Sequence, residues 1–345
     1  MGSTRESILS VHFTGKDEVR LDRSPVPRPG PGEFTVRLTT SLVSAGTEGI
    51  CLGRLFEPGT HWDNWVRYPF APGYSAVGRV EETGPGTERV RPGDRVAVRK
   101  PHASVVVVGA TDDVYPVPDG VADEQAAWFH VATIAQVGVR RAAHRLGDRV
   151  AVIGLGPVGQ LAAQYARLAG AAEVIAVDPA QERVNLALAG GAHTGLALTA
   201  EVAAEEIRRR TGGAGADVVY DVTGAAAVFA AAQRAVRKYG RLVLLGDTGT
   251  PSAQSLTPEL INNGLTVVGA HDMHGEFPAD ERSPWNNQRM GELFFGYLER
   301  GAMSTDALVS HRFPAEQAEA AYRLVRQRPA GLTGLLFDWG GPAGD

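Results

Sequence analysis

The chain has 345 residues, 43% of them hydrophobic and 21% charged, with a net charge of −5 from 34 basic and 39 acidic side chains. That balance excludes a disordered chain, and the lack of a basic block argues against nucleic acid as a partner. A single cysteine, Cys51, excludes an intrachain disulfide and any zinc site built from several cysteines.

The opening stretch MGSTRESILSVHF has no charged-then-apolar leader pattern, and no apolar run reaches the roughly 18 residues that span a bilayer. The expectation is a cytoplasmic protein with no membrane partner. At roughly 100–200 residues per domain, the length predicts two domains.

The first third reads as short strands separated by Pro and Gly. Arg23–Glu33 is a turn-rich connector, and the segment from Phe34 alternates like a half-buried strand. Tyr74–Val98 reads as two strands around a Gly/Pro turn, and Ser104–Val108 as another; together they predict a small barrel. The pattern changes at Ala122. Apolar strands at Arg149–Gly154, Glu173–Asp178, Asp217–Gly224, Arg241–Asp247 and Leu265–His271 alternate with helices at Pro157–Leu168, Gln181–Ala189 and Ala225–Arg237. Continuous apolar strands between amphipathic helices predict a parallel sheet covered on both faces, hence an α/β fold. A helix over Pro314–Arg328 and a strand over Gly334–Trp339 close the chain.

Gly154-Leu155-Gly156-Pro157-Val158-Gly159 matches GxGxxG between a predicted strand and a predicted helix, the context that gives the motif its meaning. Gly154 makes the tight turn, Gly156 admits a pyrophosphate, and Gly159 lets helix pack on strand. Pro157 stands where a missing N–H costs least, and the helix N-terminus faces the phosphates. Asp178 ends the next strand. A carboxylate there accepts hydrogen bonds from the ribose hydroxyls and repels a 2′-phosphate, so the expected cofactor is NAD; capping of the following helix is the competing role.

With these residues in place, the sequence resembles the medium-chain dehydrogenase/reductase superfamily over nearly its whole length. Further carriers are Pro72–Val80, Gly93-Asp94-Arg95-Val96 and Pro118-Asp119-Gly120-Val121. Ser44-Ala45-Gly46-Thr47-Glu48 and Tyr68–Tyr74 resemble the bacteriochlorophyllide dehydrogenase-like branch, which oxidises a secondary alcohol with NAD. The resemblance implies a GroES-like β-barrel catalytic domain over 1–121, a Rossmann dinucleotide-binding domain over 122–303 and a return to the GroES-like domain over 304–345. It also implies an interdomain active site and a homodimer paired along a strand edge such as Leu265–His271. It adds Arg183, Val222, Thr223, Gly246, Asp247, Thr248, Ala270 and His271 to the cofactor-lining set.

The departures bear on the chemistry. Where zinc-dependent members carry Cys-x-x-Asp, Gly-His-Glu and a third ligand, this chain has Ala45-Gly46-Thr47-Glu48, Gly73-Tyr74-Ser75 and Phe129. The expectation is therefore no metal, with a side chain removing the hydroxyl proton. Thr47 matches the relay hydroxyl, and Glu48 is a base or a structural carboxylate. Tyr74 replaces the ligating histidine, and His130 has a reference pKa near 6.5 that suits proton transfer. His102 is a further candidate. His271 and His274 have HxxH spacing, a weak metal signal by itself. The aromatic segment His61–Tyr68 and Ser283–Asn287 are candidate walls for a polar ring substrate.

These readings predict an NAD(H)-dependent, zinc-independent oxidoreductase that interconverts a secondary alcohol and a ketone on a polar cyclic or sugar-like small molecule. An enone or quinone reductase and a cofactor-binding protein without turnover are the alternatives at this point.

Overall fold

A computed structural model of the chain describes residues 7–275 and 284–340. By mutual packing the chain divides into two compact units. The first is Met1–Leu55, Asp63–His130 and Asn287–Asp345; the second is Phe56–Trp62 and Val131–Asn286. These limits differ from breaks after 121 and 303 for a physical reason. Asp123 accepts a hydrogen bond from Thr39 Oγ1 at 2.6 Å, and Gln125 Nε2 donates to Asp306 Oδ1 at 2.7 Å. The buried Trp128 ring lies against Gly334, whose Cβ, if it had one, would stand 2.4 Å away. The segment after 121 is thus bonded and packed into the first unit.

The first unit is organised around the strand Phe34–Val43. It pairs antiparallel with Ala76–Thr83 on one side, and on the other with Val105–Val108 at its start and Gly334–Asp338 at its end. With pairing partners on both sides it is buried almost throughout rather than on alternate residues. The sheet has seven strands. It extends through Arg95–Val98 to Val114–Pro116 at one end and to Val309–Pro314, the one parallel pairing, at the other. Phe34, Val36, Leu38, Val80, Val96 and Val98 are among the residues of its core. Ser7–Gly15 and Glu18–Pro25 form a separate hairpin that the sequence reading left unassigned.

The second unit holds a six-stranded, all-parallel sheet. Its order is Thr194–Leu196, Glu173–Val177, Arg149–Ile153, Ala216–Asp221, Val236–Leu244 and Thr266–Gly269. Chain direction across the sheet reverses between the third and fourth of these, the switch point of a doubly wound sheet, where ligands bind beyond the strands' carboxyl ends. The helices Pro157–Leu168 and Gln181–Ala189 fall where the 3.6-residue periodicity puts them. The strand Thr194–Leu196 was not expected: with three residues, one of them glycine, it has no apolar run to betray it. The helix expected over Ala225–Arg237 ends at Ala235. Val236 already pairs with Ala216, and a bulge separates that pair from Val218 and Arg241, so strand begins where apolar periodicity still reads as helix. Among the described residues no helix is long and apolar enough to cross a membrane.

Candidate active site

In the second unit, the strand Arg149–Ile153 runs into the glycine loop. Gly154 has φ +95°, a conformation that glycine adopts without penalty. A Cβ on Gly159 would stand 1.9 Å from the Gly154 carbonyl oxygen, so helix and turn meet backbone to backbone. Gly156 differs. A Cβ there would meet nothing within 4 Å, and the residue caps the helix Pro157–Leu168 without any side-chain bond. The helix N-terminus therefore keeps unsatisfied N–H groups beside open space, which fits a phosphate group. Val158 is the second residue of that helix.

Asp178 follows the next strand and is buried. Its Oδ2 accepts the Leu155 N–H and its Oδ1 the Ala180 N–H, both at 2.9 Å. It thus ties the glycine loop to the following turn; Ala180, not Asp178, occupies the N-cap of Gln181–Ala189. The Arg183 guanidinium lies 3.7 Å from its Oδ2. Beyond the strand Ala216–Asp221, Asp221 organises Val222 and Thr223: its Oδ1 accepts the Thr223 N–H at 2.9 Å and Oγ–H at 2.7 Å. Burial raises the Asp221 carboxyl above the usual carboxylate range. The sequence reading did not single this residue out, although its place one residue before the named Val222-Thr223 pair was a usable signal. Gly246 packs against the same loop, 2.5 Å separating its ideal Cβ position from the Gly224 nitrogen.

Asp247, Thr248, Ala270 and His271 follow the carboxyl ends of the adjacent strands Val236–Leu244 and Thr266–Gly269. His61 Nε2 lies 2.7 Å from Asp247 Oδ2, and His271 Nε2 lies 3.8 Å from the same oxygen. The side chain of His274 and the whole of Ser283 lie outside the described residues. Trp285, from the same candidate wall, has Arg140 stacked on its ring at 3.4 Å.

In the first unit, Thr47 and Glu48 lie in the helix Ala45–Gly53. The Tyr74 hydroxyl donates to Thr47 Oγ1 at 3.3 Å, and the Tyr74 and His130 rings meet edge to face at 5.2 Å. Thr47 and Tyr74 are half-buried, and His130 is buried. The His130 N–H points to Ser75 Oγ at 3.3 Å, whose own hydroxyl donates to the Ala127 carbonyl at 2.6 Å. The geometry therefore brings Thr47, Tyr74 and His130 together.

Glu48 faces elsewhere. It is 1% exposed, and its Oε1 accepts the Ser44 N–H at 2.8 Å across the helix start. Its Oε2 accepts a short hydrogen bond from the Tyr322 hydroxyl and lies 3.2 Å from His102 Nε2. His102 Nδ1 in turn meets Ser41 Oγ at 2.7 Å, which accepts the Trp339 indole N–H at 2.9 Å. Burial, then the Glu48 charge, pushes the Tyr322 hydroxyl well above its ordinary pKa, so it stays a donor. Tyr322, Ser41 and Trp339 are far from Glu48 in the chain, and no spacing pattern announced them.

The segment after His61 serves packing. Asp63 pairs with Arg54 at 2.6 Å, and the Tyr68 hydroxyl donates to the Cys51 carbonyl at 2.8 Å. Trp65 meets Phe70 edge to face. At the three positions that the resemblance assigns to zinc ligands, the chain offers the Ala45 methyl, the Tyr74 phenol engaged with Thr47, and the Phe129 ring packed 4.9 Å from Tyr115. That donor set does not fit the family's zinc ion.

Comparison with known proteins agrees with this architecture. Residues 31–121 match the alcohol dehydrogenase GroES-like domain family, and residues 157–282 match the zinc-binding dehydrogenase family. The chain is 30% identical over 265 residues to D-guloside 3-dehydrogenase of Shigella flexneri, covering 75% of each protein. It is 27% identical over 354 residues to human sorbitol dehydrogenase, covering 92% of this chain and 93% of the other. The crystal structure of 2R,3R-butanediol dehydrogenase from Bacillus subtilis shares the fold, with a TM-score of 0.79 at 20% identity over 96% of this chain and 99% of that one. A GroES-like unit, a doubly wound dinucleotide-type unit and these relatives together establish that the chain belongs to the medium-chain zinc-type alcohol dehydrogenase superfamily and is an oxidoreductase acting on CH–OH groups.

Proposed function

We propose that this enzyme interconverts a secondary alcohol and a ketone on a polyhydroxylated small molecule, using NAD(H) and no zinc ion at the family's position. One observation carries the reading: a Tyr74 hydroxyl bonded to Thr47 beside the His130 ring, where metal ligands would otherwise stand. Polyol substrates are suggested by the relatives, named for sorbitol and a guloside.

Gly154, Gly156, Pro157, Val158 and Gly159 would hold the pyrophosphate, and Asp178 with Arg183 the adenosine ribose. Val222, Thr223, Gly246, Asp247, Thr248, Ala270 and His271 would line the remainder. When bound, NAD supplies the hydride acceptor. For the substrate hydroxyl proton to leave by this group the Tyr74–Thr47 bond reverses: Thr47 Oγ1 accepts the substrate proton, its own proton passes to the Tyr74 oxygen, and Tyr74 releases its proton to water or to the neighbouring His130. Glu48, with both oxygens engaged, is a positioning residue that fixes the helix bearing Thr47. A homodimer through the strand Thr266–Gly269 is supported by that strand's single pairing neighbour among the described residues and by the partial exposure of Val267; light scattering tests it.

Turnover of a polyol panel with NAD and NADP tests the reading. The expected result is a kcat/KM preference for NAD, with deuteride delivered to a carbonyl carbon in the reverse direction. Preference for NADP, or delivery to the β-carbon of an enone, overturns it.

A further inference from the structure

We propose that His61, Asp247 and His271 form a binding site for one divalent transition-metal ion of the zinc class, within the dinucleotide-type unit and distinct from Ala45, Tyr74 and Phe129. Among the described residues these three side chains form a group whose ligand atoms all lie within 4.8 Å of one another.

The backbone brings them together by two routes. Leu244 and Gly269 are register partners in adjacent parallel strands, and the Ala270 N–H donates to the Leu244 carbonyl at 3.0 Å, so Asp247 and His271 leave the sheet side by side. His61 comes from the segment Phe56–Trp62. That segment is clasped to the loop after Asp247: the Glu57 N–H donates to the Gly249 carbonyl at 2.8 Å, and the Ser252 hydroxyl donates to Glu57 Oε1 at 2.5 Å. All three carriers are therefore held by hydrogen bonds before any ion arrives.

The atoms suit the ion. Metal–ligand distances of about 2.0–2.2 Å in a tetrahedron put neighbouring ligand atoms about 3.3–3.6 Å apart. The separations of 2.7 Å and 3.8 Å from Asp247 Oδ2 to the two Nε2 atoms bracket that range. His271 also has an orienting partner, since its Nδ1 lies 2.9 Å from Asp272 Oδ1. The same Nδ1 also lies 3.3 Å from the Met273 N–H; an ion on Nε2 selects the tautomer with its proton between Nδ1 and Asp272, the arrangement in which a carboxylate aims and strengthens a ligating imidazole. Two imidazoles and one carboxylate favour zinc, cobalt or nickel over magnesium or calcium. Three protein ligands leave a fourth position for an oxygen donor such as water or a hydroxyl. The His61 side chain is 58% exposed, which gives an ion a route in.

The chelator-treated full-length chain, without a histidine tag, tests this by titration with Co2+, reading visible ligand-field bands and calorimetric stoichiometry. One equivalent per chain with tetrahedral-type bands is expected, displaced by Zn2+. H61A and H271A each remove the bands, and D272N weakens binding by about 10–100-fold. H311A, a histidine on the other unit, leaves binding as it was. No saturable binding by the wild-type chain overturns the proposal, as do bands that persist in the H61A/H271A double variant; circular dichroism confirms that the variants are folded. No dinucleotide or alcohol is present, so failure of the proposed dehydrogenase reaction would leave this result standing, and the reverse.

Discussion

The glycine loop of the second unit and the Thr47–Tyr74–His130 group of the first are specified in different ways. The loop is a backbone structure: a Cβ on Gly159 would meet the Gly154 carbonyl, whereas a Cβ on Gly156 would meet nothing within 4 Å. The polar group is a side-chain structure, in which replacing ligands by Ala45, Tyr74 and Phe129 leaves the helix and strands standing while changing the chemistry available. Backbone requirements restrict a position to one residue type. Side-chain requirements are met jointly, so each residue's role depends on its neighbours.

The sharpest way to break this comparison lies inside the loop. Gly159→Val is expected to cost several kcal/mol or prevent folding, because the new Cβ meets the Gly154 carbonyl oxygen. Gly156→Ala is expected to leave stability within about 1 kcal/mol yet weaken NAD binding at least tenfold. Thermal unfolding and equilibrium dialysis check both; equal stability losses in the two variants would mean that Gly156 is structural too.

In the polar group, Tyr74→Phe and His130→Ala are expected to lower kcat by about 10²–10⁴-fold, the usual contribution of positioned proton transfer, with NAD affinity unchanged. Full turnover in both would dissolve the group as a catalytic unit. Glu48→Gln is expected to act more gently. The amide turns a donor toward the Ser44 N–H or toward Tyr322 and His102, costing about 1–3 kcal/mol of stability for a buried polar group left mismatched. Because Glu48 positions Thr47, kcat should fall while the pH profile keeps its shape; a displaced profile would make Glu48 the base itself.

The same distinction explains what the sequence disclosed. Gly154–Gly159, the helix after it and the carboxylate at 178 were legible because tight turns and close approaches admit few residues and recur at fixed spacing. Thr47, Tyr74 and His130 were legible only through resemblance to a family in which other residues stand there. The Glu48–Tyr322 bond and the meeting of His61 with Asp247 were not legible: 274 and 186 residues separate the partners, and only tertiary structure joins them. His271 was named through the resemblance and for its spacing to His274; its described neighbours in space include His61 and Asp247.

The smallest effect bears on how the pH profile of the polar group is read. His144, in the second unit, contacts the Tyr220 hydroxyl, and burial lowers its pKa from about 6.5 while raising that of Tyr220. As pH falls below about 6.5, the unfolded chain takes up a proton at this ring that the folded chain refuses. More protons on the unfolded side mean that stability rises with pH, so the stabilisation is present above the unfolded value and declines as pH drops through it. One proton limits the slope to about 1.4 kcal/mol per pH unit. Loss of folded enzyme in acid would then imitate a catalytic protonation in the Thr47–Tyr74–His130 group. His144→Gln separates the two: the acid decline of the unfolding temperature should flatten, while the acid decline of kcat remains. If both decline as in the wild type, the pH-dependent stability originates elsewhere; if both flatten, the activity profile reports the stability change at His144 and not the chemistry.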